Sequence, residues 1–401
     1  MGYSWPQRLL SRVTSSGRFV PEIDGLRFVA IMAVLFYHIG GYIELRHGER
    51  TGEKPPITSR LDRLVDTVAG AGNFGVQLFF GISGFILALP FAEADLSGQP
   101  RPSLKRYFLR RVTRLEPPYI INLLIWYVAQ VVIKGGTFLG LLPHLMASIF
   151  YVHNLVYGKF SAINGVAWTL EIEVQFYLLA PLLTLIFRIQ RAWIRRGIML
   201  TIMTVMPLVD LLIFENRYPR WWMSIGGEIQ YFLVGFLLAD VYLTNWHRQP
   251  MTQPIWNWIG LLAWTSLLAM ITLAPSARGY AWGPIFVAYC AAFRAPVWRR
   301  FFSWSPVVII GGMCYTIYLY HWMIYYIAGK FTMHIYSLDR PFWVNFVIQS
   351  ALLIPVAIAV SAVLFVLFEK PFMRRDWVDR VLAALRRKPA AANSTESVRP
   401  K

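Results

Sequence analysis

The residues best suited to chemistry in this chain are Arg27 and His38, which share the apolar stretch 25–38. At about 3.6 residues per turn the two side chains lie almost three turns apart on one helix face, roughly 16 Å along the axis. Ionisable groups inside apolar spans are costly and usually functional. The spacing predicts a phosphate anchor below a proton-transfer group. A histidine that only bonds to a neighbouring helix is the alternative interpretation.

A basic run before an apolar span is the second candidate. Arg110, Arg111 and Arg114 have the i, i+3 and i, i+4 spacing of neighbours on a helix. Arginine forks match the oxygens of a phosphate in geometry, so the run predicts a phosphate clamp. The alternative is an ordinary cationic anchor on the cytoplasmic side of the membrane.

Two carboxylates of one apolar stretch form the third candidate. On a helix, Glu173 shares a face with Thr169 and Tyr177. Phe176 joins that face, whereas Glu171 points away from it. Carboxylates inside a span are hard to explain as packing, although hydrogen bonding between helices is the alternative.

A second histidine lies late in the chain. His321 shares a helix face with Tyr318 and Tyr325. An aromatic belt at the membrane interface explains the tyrosines, but it does not explain the histidine. His321 is therefore a further candidate for the same site.

The elements that must position these residues are membrane helices. The chain has 401 residues, of which 56% are hydrophobic and 15% charged, and several stretches are long and apolar enough to span a bilayer. The composition predicts an all-α integral membrane protein of about ten transmembrane helices with both termini in the cytoplasm. The expected spans are 25–44, 72–91, 117–133, 166–187, 198–214, 228–243, 257–274, 280–294, 305–327 and 343–368.

The distribution of charge orients these spans. The net charge of +18 falls in short bursts between apolar segments, which is typical of the positive-inside rule and not of a nucleic-acid partner. The same rule predicts that the apolar segment 140–157 does not cross fully, since a crossing would put the basic run 188–196 outside. We expect a cytoplasmic segment 1–24, a single transmembrane domain 25–375 and a largely disordered cytoplasmic tail 376–401.

This topology also predicts depth. His38, Glu173 and His321 all fall in the outer half of their spans, while Arg27 and the run at 110–114 lie at the inner face. A charged anchor below a group of two histidines and a glutamate would fit one substrate that lies across the membrane.

Together, and in this order over roughly 20–375, these stretches resemble the membrane acyltransferase-3 family, which O-acylates carbohydrates and other hydroxyl acceptors. The matching motifs are Arg27 with His38, Phe-Phe-Gly-Ile-Ser-Gly-Phe at 79–85, Arg111 and Arg114 before Pro117 and Tyr119, the stretch 168–177, Tyr315 to His321, and Glu369-Lys-Pro371. Two positions depart from the family pattern. Thr169 replaces a serine and keeps its hydroxyl, whereas Cys314 replaces a serine and lacks it.

The resemblance implies a cytoplasmic acyl-CoA donor, with acetyl-CoA expected, and a hydroxyl of a surface polysaccharide or lipid-linked glycan as acceptor, in a bacterial inner membrane. No metal and no permanently bound cofactor are expected. His38 would be the general base, with Glu173 orienting or charging it. Arg27, Arg110, Arg111 and Arg114 would bind acyl-CoA, and the residues expected to line the substrate are Ser83, Trp168, Tyr177, Tyr315 and His321.

Two further expectations follow. Some members of the family carry a fused esterase-like domain, for which this chain ends too soon, so the acyl group would pass directly to the acceptor or to a separate partner. A proton-coupled transporter or exporter is the alternative function, because intramembrane histidines and glutamates also serve proton relays. A cytoplasmic arginine cluster is needed by a CoA donor and not by a proton relay.

Overall fold

The computed structural model describes residues 9–12, 19–214, 218–373 and Trp377, and this part of the chain is helical throughout, with no strand. The predicted tail 376–401 lies outside the described residues apart from Trp377. The helices are α1 (Pro21–Thr51), α2 (Arg60–Gly70), α3 (Gly75–Ser97), α4 (Leu104–Lys134), α5 (Phe138–Ile149), α6 (His153–Tyr157), α7 (Trp168–Leu183), α8 (Ala192–Val209), α9 (Pro219–Trp222), α10 (Ile225–Thr244), α11 (Ile255–Leu273), α12 (Trp282–Arg294), α13 (Pro296–Phe302), α14 (Ser305–Gly312), α15 (Cys314–Thr332) and α16 (Phe342–Leu364).

The prediction of a multi-pass membrane protein is confirmed at this level. Within the described residues, eight helical segments are long and apolar enough to cross a bilayer, and the pair α14 and α15, bent by 72° at Met313, makes a ninth. The predicted span 280–294 falls short of that length as an α-helix. It consists of a 3₁₀ segment, Pro275–Ala281, followed by the 13 residues of α12.

The segment 140–157 contains two short helices. With 12 residues, α5 is only about 18 Å long, which is less than the roughly 30 Å of a bilayer's hydrocarbon core. A turn at Tyr151, which has a positive φ of 56°, separates it from α6. The segment is therefore broken into two short helices, and the expectation that it does not cross the membrane fully stays a prediction.

Side-chain contacts give the relative directions of the central helices. His38 of α1 packs against His321 of α15. Further along both helices, Arg46 of α1 donates to the Tyr326 carbonyl of α15 at 3.1 Å. These two helices are therefore parallel. Between α7 and α15 the contacts place Thr169 against Tyr318 while the later Tyr177 lies near the start of α15, so this pair is antiparallel.

Glycines set how closely the helices approach one another. A Cβ on Gly84 of α3 would lie 2.0 Å from the Phe232 carbonyl oxygen of α10, and one on Gly311 of α14 would lie 1.8 Å from the Asp24 carbonyl oxygen of α1. Only glycine allows backbones to come this close inside a membrane. The second approach brings the end of α14 next to the first two turns of α1, the second of which carries Arg27.

Candidate active site

A cavity between α1, α3, α4, α7 and α15 collects most of the polar residues singled out above. Its polar and charged lining consists of Arg27, Ser83, Arg111, Arg114, Thr169, Glu173, Tyr177, Cys314, Tyr315, Tyr318 and Glu369. Its volume is about 120 Å³, which is below the roughly 300–1,000 Å³ of pockets that enclose a whole drug-sized ligand. The cavity can therefore hold one part of a large substrate.

Three arginines from two helices form one end of this cavity. Arg27 donates to Asp24 Oδ1 at 2.5 Å one turn earlier on α1. Arg111 of α4 lies over the rings of Tyr107 and Tyr177, at 5.6 and 5.7 Å from their centres. The Nε atoms of Arg111 and Arg114 are buried and have no hydrogen-bond partner among the described residues. These guanidinium groups retain donors for an anion.

A carboxylate and a hydroxyl in the cavity lining are hydrogen-bonded to each other. Ser83 Oγ of α3 donates to Glu173 Oε1 of α7 at 2.5 Å. The local reason lies in the motif at 79–85, because Gly81 and Gly84 pack against α10 and leave Ser83 on the cavity side. The carboxylate therefore lies within the arginine-lined cavity, where it can take up a proton or hydrogen-bond to a substrate.

The two candidate histidines form a pair beyond the other end of the cavity. The rings of His38 and His321 have their centres 4.8 Å apart, and Trp322 packs against His38 at 5.4 Å. His321 Nδ1 donates to the Tyr318 carbonyl at 2.8 Å, which leaves Nε2 as an acceptor. That Nε2 is buried and has no partner in the described part of the chain. The pair therefore keeps a ring nitrogen available for proton transfer.

The contacts separate Glu173 from the two histidines along the helix axes, and the placement of all three in the outer half of the membrane stays a prediction. Thr169 of α7 contacts the Tyr318 hydroxyl at 2.6 Å. From that contact Glu173 is one turn further along α7, toward Cys314, whereas His321 is almost one turn away in the opposite direction. At about 1.5 Å per residue the separation along the axis is roughly 10 Å. Glu173 lies with the arginines, and its observed partner is Ser83 rather than His38, so the expected orienting role toward His38 is not what the contacts show.

Besides the two histidines, two of the predicted site residues lie outside the cavity lining. Trp168 packs against Phe160 and Trp222, at ring distances of 5.8 and 5.4 Å, and only its neighbour Thr169 reaches the cavity. Arg110 belongs to the same run as Arg111 but is not part of the lining. The reason is helical periodicity, since Arg111 and Arg114 share a face that Arg110 does not fully share.

The second carboxylate of α7 is structural. Glu171 is 1% exposed and accepts a hydrogen bond from the backbone N–H of Asn154 at 2.7 Å. Asn154 also donates through its side chain to the Trp168 carbonyl at 2.8 Å. Glu171 therefore binds the start of α6 to the start of α7, in agreement with the prediction that it points away from Glu173.

Four polar lining residues were not among the predicted site residues, namely Thr169, Cys314, Tyr318 and Glu369. Glu369, at the end of the last span, accepts from the Thr316 hydroxyl at 2.5 Å and lines the cavity with Arg114. Its signal in the sequence was the closing Glu369-Lys-Pro371. Tyr318 donates to the Val166 carbonyl, and Tyr315 donates to the Leu115 carbonyl at 2.9 Å. Both tyrosine protons are therefore engaged, which leaves these rings as walls rather than as donors to a substrate.

The donor set of the site fits an anionic substrate better than a metal. Among the residues that the structure describes, no group of three or more His, Cys, Asp or Glu side chains is arranged to hold a metal ion. The arginine forks and the Glu173 carboxylate lie together in the cavity lining, and the imidazole pair lies roughly 10 Å from Glu173 along the helix axes. Such an arrangement can hold a phosphate at one point and move a proton at another.

Comparison with known proteins agrees with this geometry. The family model described as an acyltransferase domain matches residues 20–366. A protein named "Putative O-acetyltransferase" from Staphylococcus aureus strain COL is 24% identical over 357 residues, which covers 80% of this chain and 54% of that protein. The O-acetyltransferase OatA of S. aureus strain NCTC 8325 / PS 47 is 22% identical over 354 residues, with 81% and 54% covered.

The chain thus spans about half the length of the curated relatives it matches. No solved structure matches it. The family match covers most of the chain, including all of the motifs from Arg27 to His321. The resemblance seen in the sequence is confirmed, and this chain belongs to the membrane acyltransferase-3 family.

Proposed function

We propose that this protein is an O-acetyltransferase of a bacterial inner membrane. It takes an acyl group, acetyl in the first instance, from cytoplasmic acyl-CoA and transfers it to a hydroxyl of a carbohydrate, either a surface polysaccharide or a lipid-linked glycan. The names of the relatives support the acetyl group and the oxygen acceptor. The CoA donor rests on the arginines of the site, and the carbohydrate acceptor rests on the resemblance to the family.

The observation that carries the proposal is the arrangement of the three arginines. Arg27, Arg111 and Arg114 come from two helices to one end of a cavity, and buried donors on two of them lack partners among the described residues. The phosphates of CoA are ligands of this kind. His38 lies roughly 16 Å further along α1 than Arg27. The pantetheine arm of acyl-CoA can bridge such a distance and bring its thioester toward the histidines.

In this arrangement the histidine pair performs the proton transfer. His38 removes the proton from the acceptor hydroxyl while the oxygen attacks the thioester carbonyl. The carbon–sulfur bond then breaks, the acyl group remains on the acceptor oxygen as an ester, and the CoA sulfur leaves and takes up a proton. Adjacent imidazoles repel a second positive charge, so at most one of the two rings is an imidazolium at a time.

We further propose ten crossings with both termini in the cytoplasm. Helices α1 and α15 are parallel, which requires an odd number of crossings between them. The segment 275–294 supplies the crossing that the length criterion leaves out. Gln253 donates to the Arg294 carbonyl at one end of α11, and Arg278 donates to the Ile271 carbonyl at the other. The chain therefore returns along α11, whose 19 residues are about 28 Å long.

Both ends of the helical bundle lie on one face of the protein, and the proposal assigns this face to the cytoplasm. Lys370 donates to the Leu9 carbonyl at 2.5 Å, so the beginning and the end of the helical bundle lie on one face. The arginine end of the cavity is on this face as well, since Glu369 lines it. Reporter fusions at Gly158 and Arg191 should give an outside and an inside signal respectively. An outside signal at Arg191 would contradict the proposed topology.

The proposal is tested by CoA binding to purified protein in detergent. We expect Arg111→Ala and Arg114→Ala to weaken CoA binding roughly 10- to 100-fold, as for the loss of a charged hydrogen bond. Arg111→Lys should restore only part of the affinity, because lysine keeps the charge but loses the fork. Arg110→Ala is the matched control, since it removes an arginine of the same run from outside the cavity lining.

A salt series completes this experiment. The contribution of exposed charge–phosphate attraction should shrink as the salt concentration rises. Wild-type protein that binds neither CoA nor acetyl-CoA at any salt concentration would remove the donor from the proposal. A proton-coupled transporter, the alternative inferred from the sequence, needs no CoA affinity, but the family supports an enzyme.

A further inference from the structure

The described residues of the N-terminal segment, 9–12, pack against the arginine end of the cavity. Leu9 accepts the hydrogen bond from Lys370 at the end of the last span. The backbone of Arg12 lies against Gly312, where an added Cβ would be 3.7 Å from the Arg12 Cβ. Gly312 itself lines the cavity. A residue well outside the first span therefore lies next to the predicted donor site.

One carboxylate is shared between Arg12 and Arg27. Asp24 Oδ1 lies 2.5 Å from Arg27 Nη1 and 3.6 Å from Arg12 Nη2. Asp24 is 1% exposed, and both arginine side chains are 13% exposed. The Arg12 Nε is a buried donor without a partner in the described regions. Arg12 therefore has one long ionic contact and at least one donor unused.

The single negative charge of Asp24 does not balance the positive charges of the arginines at this end of the cavity. Burial, followed by the positive charge of Arg27, lowers the pKa of Arg12 to about 9, and the attraction of Asp24 only partly opposes this. Arg12 still carries its charge at neutral pH. Arg114 lies close enough to add to the repulsion. A group with several negative charges would relieve it, as the phosphates of a nucleotide do.

We propose that Arg12 is a fourth donor-binding arginine, which joins Arg27, Arg111 and Arg114 on the phosphates of acyl-CoA. Asp24 holds the guanidinium groups of Arg12 and Arg27 in position, and a donor phosphate takes over part of that ionic contact. This inference rests on the proposed function, because it assigns Arg12 to the same donor site. It extends that site to a segment before the first span.

The experiment measures the dissociation constant of CoA for wild type, Arg12→Ala, Arg12→Lys and Arg299→Ala in nanodiscs of zwitterionic lipid. Arg299 is the matched control, because it pairs with Glu22 of the same first turn of α1 at 2.8 Å but lies outside the cavity lining. We expect Arg12→Ala to bind CoA roughly 10- to 100-fold more weakly, with partial recovery in Arg12→Lys. Arg299→Ala should bind CoA within about threefold of wild type, since Arg299 is 44% exposed and lies outside the cavity lining.

Steady-state kinetics distinguish binding from folding. A donor-binding role predicts a raised KM for acetyl-CoA with kcat nearly unchanged, and a purely structural role predicts lower thermal stability with an unchanged KM. Should Arg12→Ala fail to accumulate, Arg12→Gln, which keeps a side chain of similar reach, takes its place in the same measurement.

Two outcomes overturn the inference without touching the proposed function. One is wild-type affinity for CoA in Arg12→Ala while Arg111→Ala is impaired. The other is an effect of Arg12→Ala that appears only when anionic phosphatidylglycerol is added to the nanodiscs, which would assign Arg12 to a lipid headgroup. If wild-type protein does not bind CoA, the proposed function itself is contradicted. Arg299→Ala, which should bind CoA like wild type, would then show no binding either.

Discussion

Two pairs of histidines in this molecule look alike in composition and differ in what they can do. His38 and His321 meet in the membrane with their ring centres 4.8 Å apart. His144 and His153 meet in the short helices α5 and α6, with His144 Nδ1 2.9 Å from His153 Nε2. The first pair keeps an uncommitted Nε2 on His321, while the second is joined by a hydrogen bond between the rings.

The second pair is part of a chain of hydrogen bonds that runs from His144 through His153 to the Lys159 carbonyl. His153 Nδ1 donates to the Lys159 carbonyl at 3.2 Å, so its Nε2 must accept from His144. Both rings also pack against Tyr157, at 4.4 and 4.6 Å. Such a pair holds α5 against α6. A histidine is available for catalysis when packing leaves one of its nitrogens without a partner next to a cavity.

The largest effect should come from removing one member of each pair. We expect His38→Ala to lower acyl transfer by about 10²–10⁴-fold, the usual cost of losing a general base, while the protein still inserts and accumulates. His144→Ala is the matched control and should keep most of the activity of each folded molecule. The measurement is acetyl transfer to the glycan fraction, normalised to protein in the membrane. Near-normal acylation by a well-expressed His38→Ala would end the assignment of His38 as the base.

The two carboxylates of α7 extend the comparison and should give the next largest effect. Glu173→Gln should lower acyl transfer at least about tenfold, since it removes a charged hydrogen bond to Ser83 within the cavity. Glu171→Gln should lower the unfolding temperature instead, because Glu171 accepts from the backbone of Asn154. Activity and thermal stability are measured on the same purified samples. Equal losses of activity in the two variants would show that the separation into catalytic and structural carboxylates is wrong.

The smallest effect concerns the pH dependence of the second pair. Burial, followed by the repulsion of His144, lowers the pKa of His153 to about 4, below its ordinary 6.5. The neutral form is thus favoured in the folded state, and its stabilising contribution is complete above pH 6.5. It is lost as the pH falls from 6.5 toward 4, since unfolding then takes up a proton.

We therefore expect the unfolding temperature of the detergent-solubilised protein to fall by a few degrees between pH 7.5 and pH 5. His153→Asn should be less stable at pH 7.5 and should show a smaller change between the two pH values. A wild-type and a variant curve that run parallel would show that His153 does not contribute to the pH dependence.

Part of the site could be predicted from the geometry of single helices. The pairing of Arg27 with His38 depends only on the pitch of one helix, and the structure keeps both side chains toward α15. The same argument placed Glu173 with Tyr177 and turned Glu171 away. These predictions succeeded because residues on one helix have fixed angular and axial relations, whatever the helix packs against.

Relations between helices were harder to predict. A topology of alternating spans placed Glu173 level with His38, but spans of different length and bends such as the one at Met313 shift one helix along another. The close approach of Gly311 to the Asp24 carbonyl, for example, sets where α15 begins relative to Arg27 along the axis of α1. Axial offset between helices is a property of such contacts, which a hydropathy pattern does not contain.

By itself the sequence determined the helical membrane class, the acyltransferase family and the faces of the individual helices, because apolar length and helical periodicity are local properties of the chain. Only the tertiary structure decided that Glu173 belongs with Ser83 and the arginines, that His38 meets His321, and that Arg12 reaches Asp24 from outside the first span. The physical reason is that these contacts join residues far apart in the chain, and they depend on which helix surfaces pack together and at what offset.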